Sequence, residues 1–140
     1  MIYLLDLNQT LVDSVRGAPK MRPFELHIEY EKYRKELVEI LRSKYVILIT
    51  ARPDRYRELT LSHIAAQTGW LPQEAYFSTM KTYPHVNKEN LLVGKVFKKH
   101  GRDASIYFGV ESNPKTRSMY ARYGISSMPY DEFLSLRGEF

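Results

Sequence analysis

Polar and charged side chains follow three apolar runs of the chain, at the point where each run ends. These residues are Asp6 after residues 2–5, Thr50 after residues 45–49, and Glu111 after residues 106–110. A carboxylate can attack phosphorus or bind Mg²⁺, and a hydroxyl can donate a hydrogen bond to a phosphate oxygen. The three side chains would form one site if the runs are neighbouring strands of a single sheet.

The apolar runs alternate with amphipathic segments, which predicts alternating strands and helices. We predict strands at residues 2–5, 45–49, 75–77, 105–109 and 125–128, and helices at 26–43, 55–68, 88–100, 114–123 and 130–136. This order favours an α/β fold, a Rossmann-like three-layer sandwich with a central parallel sheet between helices. Ligands bind such sheets at the carboxyl ends of the strands, where Asp6, Thr50 and Glu111 are placed.

Length and composition limit the class of protein. The 140 residues predict a single domain over residues 1–140. The absence of cysteine excludes disulfides, thiolate metal sites and a cysteine nucleophile. The four histidines are too widely spaced for a helical zinc pair. The apolar N-terminal run is too short for a signal peptide or a membrane span, so we expect a cytoplasmic protein with no membrane partner.

The segment around Asp6 reads LLDLNQTLVDS, with an amide at Asn8 and a hydroxyl at Thr10. It resembles the first motif of the haloacid dehalogenase (HAD) superfamily, Asp-x-Asp-x-Thr/Val. The resemblance implies that Asp6 is the nucleophile and a Mg²⁺ ligand, and that the backbone carbonyl of Asn8 also binds the metal. The family uses its second Asp as general acid and base. An amide cannot take that role, and losing such a group typically slows a reaction about 10²–10⁴-fold.

Two further segments resemble later motifs of the superfamily. Thr50-Ala51-Arg52 resembles the second motif, in which the hydroxyl and the adjacent backbone hold the phosphoryl group. A small residue and an arginine are frequent there in polynucleotide phosphatases, so Thr50, Ala51 and Arg52 are predicted to bind substrate. Lys88 resembles the third motif, a lysine that contacts phosphate and nucleophile, and Lys95 stays an alternative.

The stretch 106–125 resembles the fourth motif as it occurs in the phosphatase domain of phage polynucleotide kinase–phosphatases. Glu111 and Ser112 stand at its two acidic positions, so the resemblance implies Glu111 as a Mg²⁺ ligand. A contribution of Ser112 or Asn113 to the metal shell stays open. Glu111 and Asn113 could instead cap the helix that begins near Pro114.

Insertions after the first or second motif form a cap over the active site in this superfamily. Residues 14–44 leave room only for a flap and a small helical cap region. Such a minimal cap implies an open site, which in the family often goes with large substrates such as nucleic acid ends. The stretch 81–122 holds nine basic and three acidic residues, which favours phosphate-rich partners, with a solvated helix face as the alternative. Arg16, Lys20 and Arg22 could be no more than part of a solvated loop.

The resemblance implies a magnesium-dependent phosphatase that acts on nucleotides or polynucleotide phosphate ends through an aspartyl-phosphate. Asn8 would weaken that activity. The alternative is a catalytically degenerate HAD-like domain that binds nucleic acid or a protein partner without turnover. Asn8 and Ser112 favour the degenerate domain, whereas Asp6, Thr50 and Lys88 favour the enzyme.

Overall fold

A five-stranded parallel sheet forms the centre of the protein in the computed structural model, which describes residues 1–14 and 19–136. Its strands are β1 (Ile2–Leu5), β2 (Tyr45–Pro53), β3 (Glu74–Ser78), β4 (Tyr107–Val110) and β5 (Ser126–Met128), in the order β3-β2-β1-β4-β5. The flanking helices are α1 (Phe24–Glu29), α2 (Lys35–Leu41), α3 (Arg57–Thr68), α4 (Pro84–Leu91), α5 (Phe97–His100), α6 (Pro114–Arg122) and α7 (Tyr130–Ser135). The predicted α/β class, a Rossmann-like three-layer sandwich, is confirmed.

The central strands are buried on both faces, which explains their continuous apolar sequence. Side chains alternate between two apolar clusters, one on each side of the sheet. Leu5 and Leu48 belong to one cluster, and Leu4 and Ile47 belong to the other. All four side chains are at most 1% exposed, so this burial anchors the strands that carry the site.

The register of the sheet brings the predicted site residues to one edge. Leu5 of β1 pairs with Leu48 of β2 and with Val110 of β4. The backbone N–H of Asp6 donates to the carbonyl of Val110 over 3.0 Å. Asp6 directly follows β1 and Glu111 directly follows β4, so the two residues leave the sheet side by side.

The single helix predicted over residues 26–43 is wrong, because α1 and α2 are separated by an extended segment. Tyr33 pairs with Val12 in an isolated antiparallel bridge. The N–H of Arg34 donates to Leu11 O over 2.9 Å, and the N–H of Asp13 donates to the carbonyl of residue 32 over 2.8 Å. These bonds take backbone groups that a continuous helix would need, and they tie the segment to the chain that follows β1.

Strand β2 is longer than predicted, since it continues to Pro53 instead of ending at residue 49. Its pairing with β3 shifts register after Ile49 and resumes between Pro53 and Ser78. Residues 50–52 consequently lie within the strand, in fixed backbone geometry, and not in a loop beyond it.

Strand β4 begins later than predicted, at Tyr107 rather than at residue 105. Asp103 accepts a hydrogen bond from the N–H of Ser105 over 3.0 Å and closes a short 3₁₀ turn over Ala104–Ile106. The turn takes the first residues of the predicted strand out of the sheet.

The helix predicted at 88–100 begins at Pro84 and is not uniform. It consists of α4, a wider helical turn over Leu92–Val96, and α5. Proline suits the first helical turn because that position needs no backbone N–H partner. Lys88 therefore lies in the second turn of α4.

The predicted cap region lies partly outside the described residues, which omit positions 15–18. Its described part, from residue 19 to residue 44, contains α1 and α2. Helix α3 ends as predicted at Gly69, which has the left-handed φ of 66° that glycine accommodates without strain. Among the described residues, no helix is long and apolar enough to cross a membrane.

Candidate functional site

Asp6 lies at the centre of a polar cluster at the carboxyl edge of the sheet, and only 6% of it is exposed. Its Oδ1 accepts a hydrogen bond from Lys88 Nζ over 2.7 Å. Its Oδ2 accepts from Thr10 Oγ1 over 2.9 Å and from Ser112 Oγ over 2.7 Å. Burial alone would raise the pKa of Asp6, but the charge of Lys88 and the hydrogen bonds from Lys88 and Ser112 lower it. The carboxylate is thus held in its charged form.

A turn over Leu7–Leu11, with non-helical backbone at Asn8 and Gln9, brings Thr10 back to Asp6. Leu7 and Leu11 are completely buried and anchor the two ends of the turn. Between them, Gln9 adopts a left-handed conformation with φ 62° and ψ 9°, which is uncommon for a residue with a side chain. The strained backbone at Gln9 thus allows the hydroxyl of Thr10 to contact the buried carboxylate of Asp6.

Lys88 connects the two buried carboxylates of the cluster. Its Nζ donates to Asp6 Oδ1 and, over 2.6 Å, to Glu111 Oε1. Desolvation would lower the pKa of Lys88, but the two anions raise it, so the ammonium stays charged. Burial raises the pKa of Glu111 to about 7, against the opposing effect of Lys88. Lys95 is exposed, so Lys88 is the lysine of the predicted pair that lies against Asp6.

Ser112 and Asn113 complete this end of the cluster in different ways. Ser112 Oγ lies 3.3 Å from the carbonyl oxygen of Asn8 as well as 2.7 Å from Asp6 Oδ2. Oxygens of three residues therefore meet at one point, where they could hold a hard cation. Asn113 Oδ1 instead accepts from the N–H of Lys115 over 2.9 Å and caps α6, as the capping alternative predicts for Asn113.

Arg52 is buried beneath Asn8 and does not project into solvent. Its guanidinium donates to both carboxylate oxygens of Glu31, over 2.9 and 2.5 Å, and to Thr60 Oγ1 over 2.9 Å. Nη2 also donates to Asn8 Oδ1 over 3.2 Å. Arg52 is only 4% exposed, so its charge is neutralised inside the protein and it orients the amide of Asn8.

Thr50 and Ala51 lie between this arginine and the end of β1. Thr50 is buried, and its Oγ1 accepts a hydrogen bond from the N–H of Arg52 over 3.1 Å. The hydroxyl proton of Thr50 is free of that bond and can be donated elsewhere. Ala51 is half-buried and lines the groove described next.

A groove of about 690 Å³ opens beside Asn8, between α1, the end of β2 and the loop before α4. Its lining includes four exposed basic side chains, which are Lys20, Arg22, Arg55 and Lys81. Within the described ranges none of these four forms an ion pair, and the groove lining contains no acidic residue. Lys20 and Arg22, for which a solvated loop is the alternative, are exposed and also line this groove, whereas Arg16 lies outside the described residues.

The basic stretch 81–122 does not form one free surface. Lys88 is buried in the cluster, and Arg117 donates to the carbonyls of Glu111 and Ser112 over 2.9 Å each. Other members are paired with acids on the surface, Lys99 with Glu74 over 3.5 Å and Arg122 with Glu89 over 2.9 Å. The unpaired cations of the groove come mostly from other parts of the chain.

Sequence reasoning missed Glu31 and, among the groove cations, Arg55. Glu31 is 21 residues away from Arg52 in sequence and carries no local motif. Thr10 stands in the motif itself, but its hydrogen bond to Asp6 depends on the left-handed turn at Gln9.

Comparison with protein-family profiles gives no match, and comparison with curated proteins gives no significant match. The fold does occur in solved structures. A chain in the structure of the Pnkp1/Rnl/Hen1 RNA repair complex superposes with a TM-score of 0.70 at 16% identity, covering 91% of this chain and 41% of that one. A chain in a second structure, of the Pnkp1/Rnl/Hen1 complex, gives 0.67 at 17% identity, covering 91% and 44%.

This likeness shows the fold alone. The chain spans less than half the length of the solved chains that it matches.

Proposed function

We propose that the chain is a HAD-like phosphatase that acts on nucleotides or polynucleotide phosphate ends through an aspartyl-phosphate on Asp6. The observation that carries the proposal is the state of Asp6, a buried but charged carboxylate at the carboxyl end of the central strand. It is fixed by Lys88, Thr10 and Ser112 and lies near a groove with a positive lining. Such a carboxylate is oriented for attack on an anionic phosphate.

The proposed reaction has two steps. The carboxylate of Asp6 attacks phosphorus, and the bond between phosphorus and the leaving oxygen breaks as the acyl phosphate forms. Water then attacks the acyl phosphate, which releases inorganic phosphate and restores Asp6. Lys88 stabilises the negative charge during both steps, and the free hydroxyl proton of Thr50 is available to a phosphate oxygen.

The residues present fit a bound Mg²⁺. Asp6 Oδ2 and the Asn8 carbonyl both approach Ser112 Oγ, and Glu111 lies across Lys88 from Asp6. These are oxygen donors, and Mg²⁺ is commonly held by one or two carboxylates with water in its remaining positions. Asp6, Asn8 and Glu111 would hold the ion, which when bound neutralises charge on the phosphoryl group.

A phosphorylated nucleotide or nucleic acid end is the proposed substrate class. The groove beside Asn8 is lined by four exposed cations and no acid. A positive groove raises the local concentration of phosphate-rich ligands. The solved chains with the same fold belong to an RNA repair complex, which supports the same class of substrate and also allows a protein partner.

Phosphate release from para-nitrophenyl phosphate in the presence of Mg²⁺ tests the proposal. We expect slow release by the natural chain, background release by Asp6→Asn, and loss of activity in EDTA. Asp131→Asn is the matched control, because Asp131 is exposed in the first turn of α7. Equal rates for the Asp6→Asn variant and the natural chain would refute the role of Asp6.

The second candidate function is binding of nucleic acid or a protein without turnover. It is favoured by Asn8, which cannot transfer a proton, and by Ser112 at an acidic position of the motif. No release by either the natural chain or Asn8→Asp, together with retained binding of a phosphorylated oligonucleotide, would support this alternative. Release by Asn8→Asp alone would indicate a substrate-binding fold that lacks its acid.

A further inference from the structure

Asn8 lines the groove, and the oxygen of its amide is held by Arg52. Arg52 Nη2 donates to Asn8 Oδ1 over 3.2 Å, so the oxygen of the amide faces the guanidinium. Arg52 is itself fixed by Glu31 and Thr60. The remaining group of the side chain, Nδ2, carries two hydrogens that it can share but cannot give up.

The described residues offer no carboxyl or imidazole group on the groove side of the cluster that could protonate a leaving group. Among residues 1–14 and 19–136, the groove lining includes no Asp, Glu or His. Glu31 is buried in its ion pair with Arg52. Lys88 is held as an ammonium by two carboxylates, which oppose the loss of its proton. A leaving group in the groove must therefore depart without a proton from a carboxylic acid or an imidazolium.

This condition separates two kinds of phosphate. The alkoxide released from an alkyl phosphate monoester, such as a 3′-phosphate end, is strongly basic and normally leaves with a proton. A phosphate or diphosphate released from a phosphoanhydride is weakly basic and leaves as the anion. The missing acid should slow the hydrolysis of alkyl phosphate monoesters about 10²–10⁴-fold and have little effect on the hydrolysis of phosphoanhydrides.

The groove also carries the charge that an anhydride leaving group needs. Lys20, Arg22, Arg55 and Lys81 line it, are exposed, and form no ion pair within the described ranges. Four cations exceed what a single terminal phosphate requires, since that phosphate sits at Asp6 with Lys88. Further phosphates of the same substrate would occupy the groove.

We infer that the site takes phosphoanhydrides, as nucleoside polyphosphates or polyphosphorylated nucleic acid ends, in preference to alkyl phosphate monoesters. The inference rests on the proposed function of Asp6. The carboxylate of Asp6 attacks the terminal phosphorus, and the bond from that phosphorus to the bridging oxygen breaks. The electron pair stays on the bridging oxygen, which leaves as part of the diphosphate, and water hydrolyses the acyl phosphate.

Relative rates on two substrates test the inference. We would measure kcat/KM with Mg²⁺ for adenosine triphosphate and for a 3′-phosphorylated oligonucleotide, in the natural chain and in Asn8→Asp. We expect the natural chain to favour the triphosphate by about 100-fold or more, and Asn8→Asp to reduce this ratio by about 10²–10⁴. A ratio near one in the natural chain, or an equal ratio in both proteins, would overturn the inference.

Binding of pyrophosphate tests the groove without turnover. Calorimetry in EDTA should give tighter binding of pyrophosphate than of inorganic phosphate. Arg55→Gln and Lys81→Gln should each weaken pyrophosphate binding about 2- to 5-fold, as expected for exposed charges. Lys98→Gln is the control, because Lys98 is an exposed lysine outside the groove lining. Unchanged affinity in the Arg55→Gln/Lys81→Gln double variant would contradict the assignment.

Failure of the inference and failure of the proposed function give different results. Alkyl esters that react as fast as anhydrides overturn the inference while the role of Asp6 stands. No phosphate release from any donor in either protein, with no phosphorylated protein in its intact mass, overturns both.

Discussion

Replacing Lys88 by methionine should destabilise the protein strongly, because Lys88 is the cation that two buried carboxylates share. Its side chain is only 4% exposed, and its Nζ lies 2.7 Å from Asp6 and 2.6 Å from Glu111. Without it, the adjacent anions of Asp6 and Glu111 repel each other, by about 4 kcal/mol for two charges about 4 Å apart at an effective dielectric constant of about 20. Breaking a buried ion pair by removing one partner typically costs about 3–5 kcal/mol. We therefore expect a loss of about 3–5 kcal/mol at pH 8.

The loss should become smaller as the pH falls. Without Lys88, repulsion and burial raise the folded-state pKa of one carboxyl above its unfolded value. A group with a raised folded pKa binds its proton more tightly when folded, so the folded state regains stability as the pH falls through that pKa. The difference between Lys88→Met and the natural chain should therefore be smaller at pH 5.5 than at pH 8.

Urea unfolding followed by circular dichroism measures both effects, in EDTA so that no divalent cation replaces the missing charge. Lys95→Met is the matched control, because Lys95 is exposed and should change stability by less than about 0.5 kcal/mol. Lys88→Met/Glu111→Gln should recover part of the loss, since it removes one of the two anions. A Lys88→Met variant within about 1 kcal/mol of the natural chain at pH 8, or a loss that does not shrink at pH 5.5, would refute this reasoning.

Three further changes test other parts of the structure. Gly109→Ala should lower the free energy of unfolding by about 1–3 kcal/mol, because the Cβ of the new alanine would lie 2.9 Å from Ser127 Cβ. An unchanged urea midpoint would contradict this packing. Asn113→Ala should lower the free energy of unfolding by about 1 kcal/mol in the same assay, because α6 loses its N-cap. Asn113→Asp should retain most of that stability, since aspartate also caps helices. Burial opposes ionisation of Glu74, but hydrogen bonds, led by the one from Tyr45, lower its pKa to about 2. A lowered pKa in the folded state stabilises the protein, and this stability is lost as the pH falls from about 4.5 toward 2. The free energy of unfolding of Glu74→Gln should therefore fall less over that pH range than that of the natural chain. Identical acid unfolding profiles of the two proteins would contradict the assignment.

The sheet and its edge were predictable because they follow from local patterns. A continuous apolar run predicts a parallel strand that is buried on both faces. The carboxyl ends of parallel strands meet at one edge of the sheet. Asp6 and Glu111 therefore come together although they are far apart in sequence. The helix patterns were also strong enough to fix the end of α3 at Gly69.

Features that depend on contacts between distant segments were not predictable. The break between α1 and α2 arises because Tyr33 pairs with Val12, although the residues around Tyr33 have helical spacing. The motif around Arg52 predicts a substrate ligand, but it does not predict the ion pair of Arg52 with Glu31, because Glu31 lies on another segment. A motif states which residue types are present, whereas burial and pairing depend on what the rest of the chain brings to them.

The most direct measurement of the central claim is the intact mass of the protein after brief exposure to a phosphoryl donor with Mg²⁺. Without an acid–base residue at position 8, hydrolysis of the acyl phosphate is slow, so the phosphorylated form should accumulate. We expect the natural chain to gain one phosphoryl group that neutral hydroxylamine removes, and Asp6→Asn to gain none. A phosphoryl group on Asp6→Asn, or none on the natural chain with para-nitrophenyl phosphate and adenosine triphosphate, would contradict the assignment of Asp6 as the nucleophile.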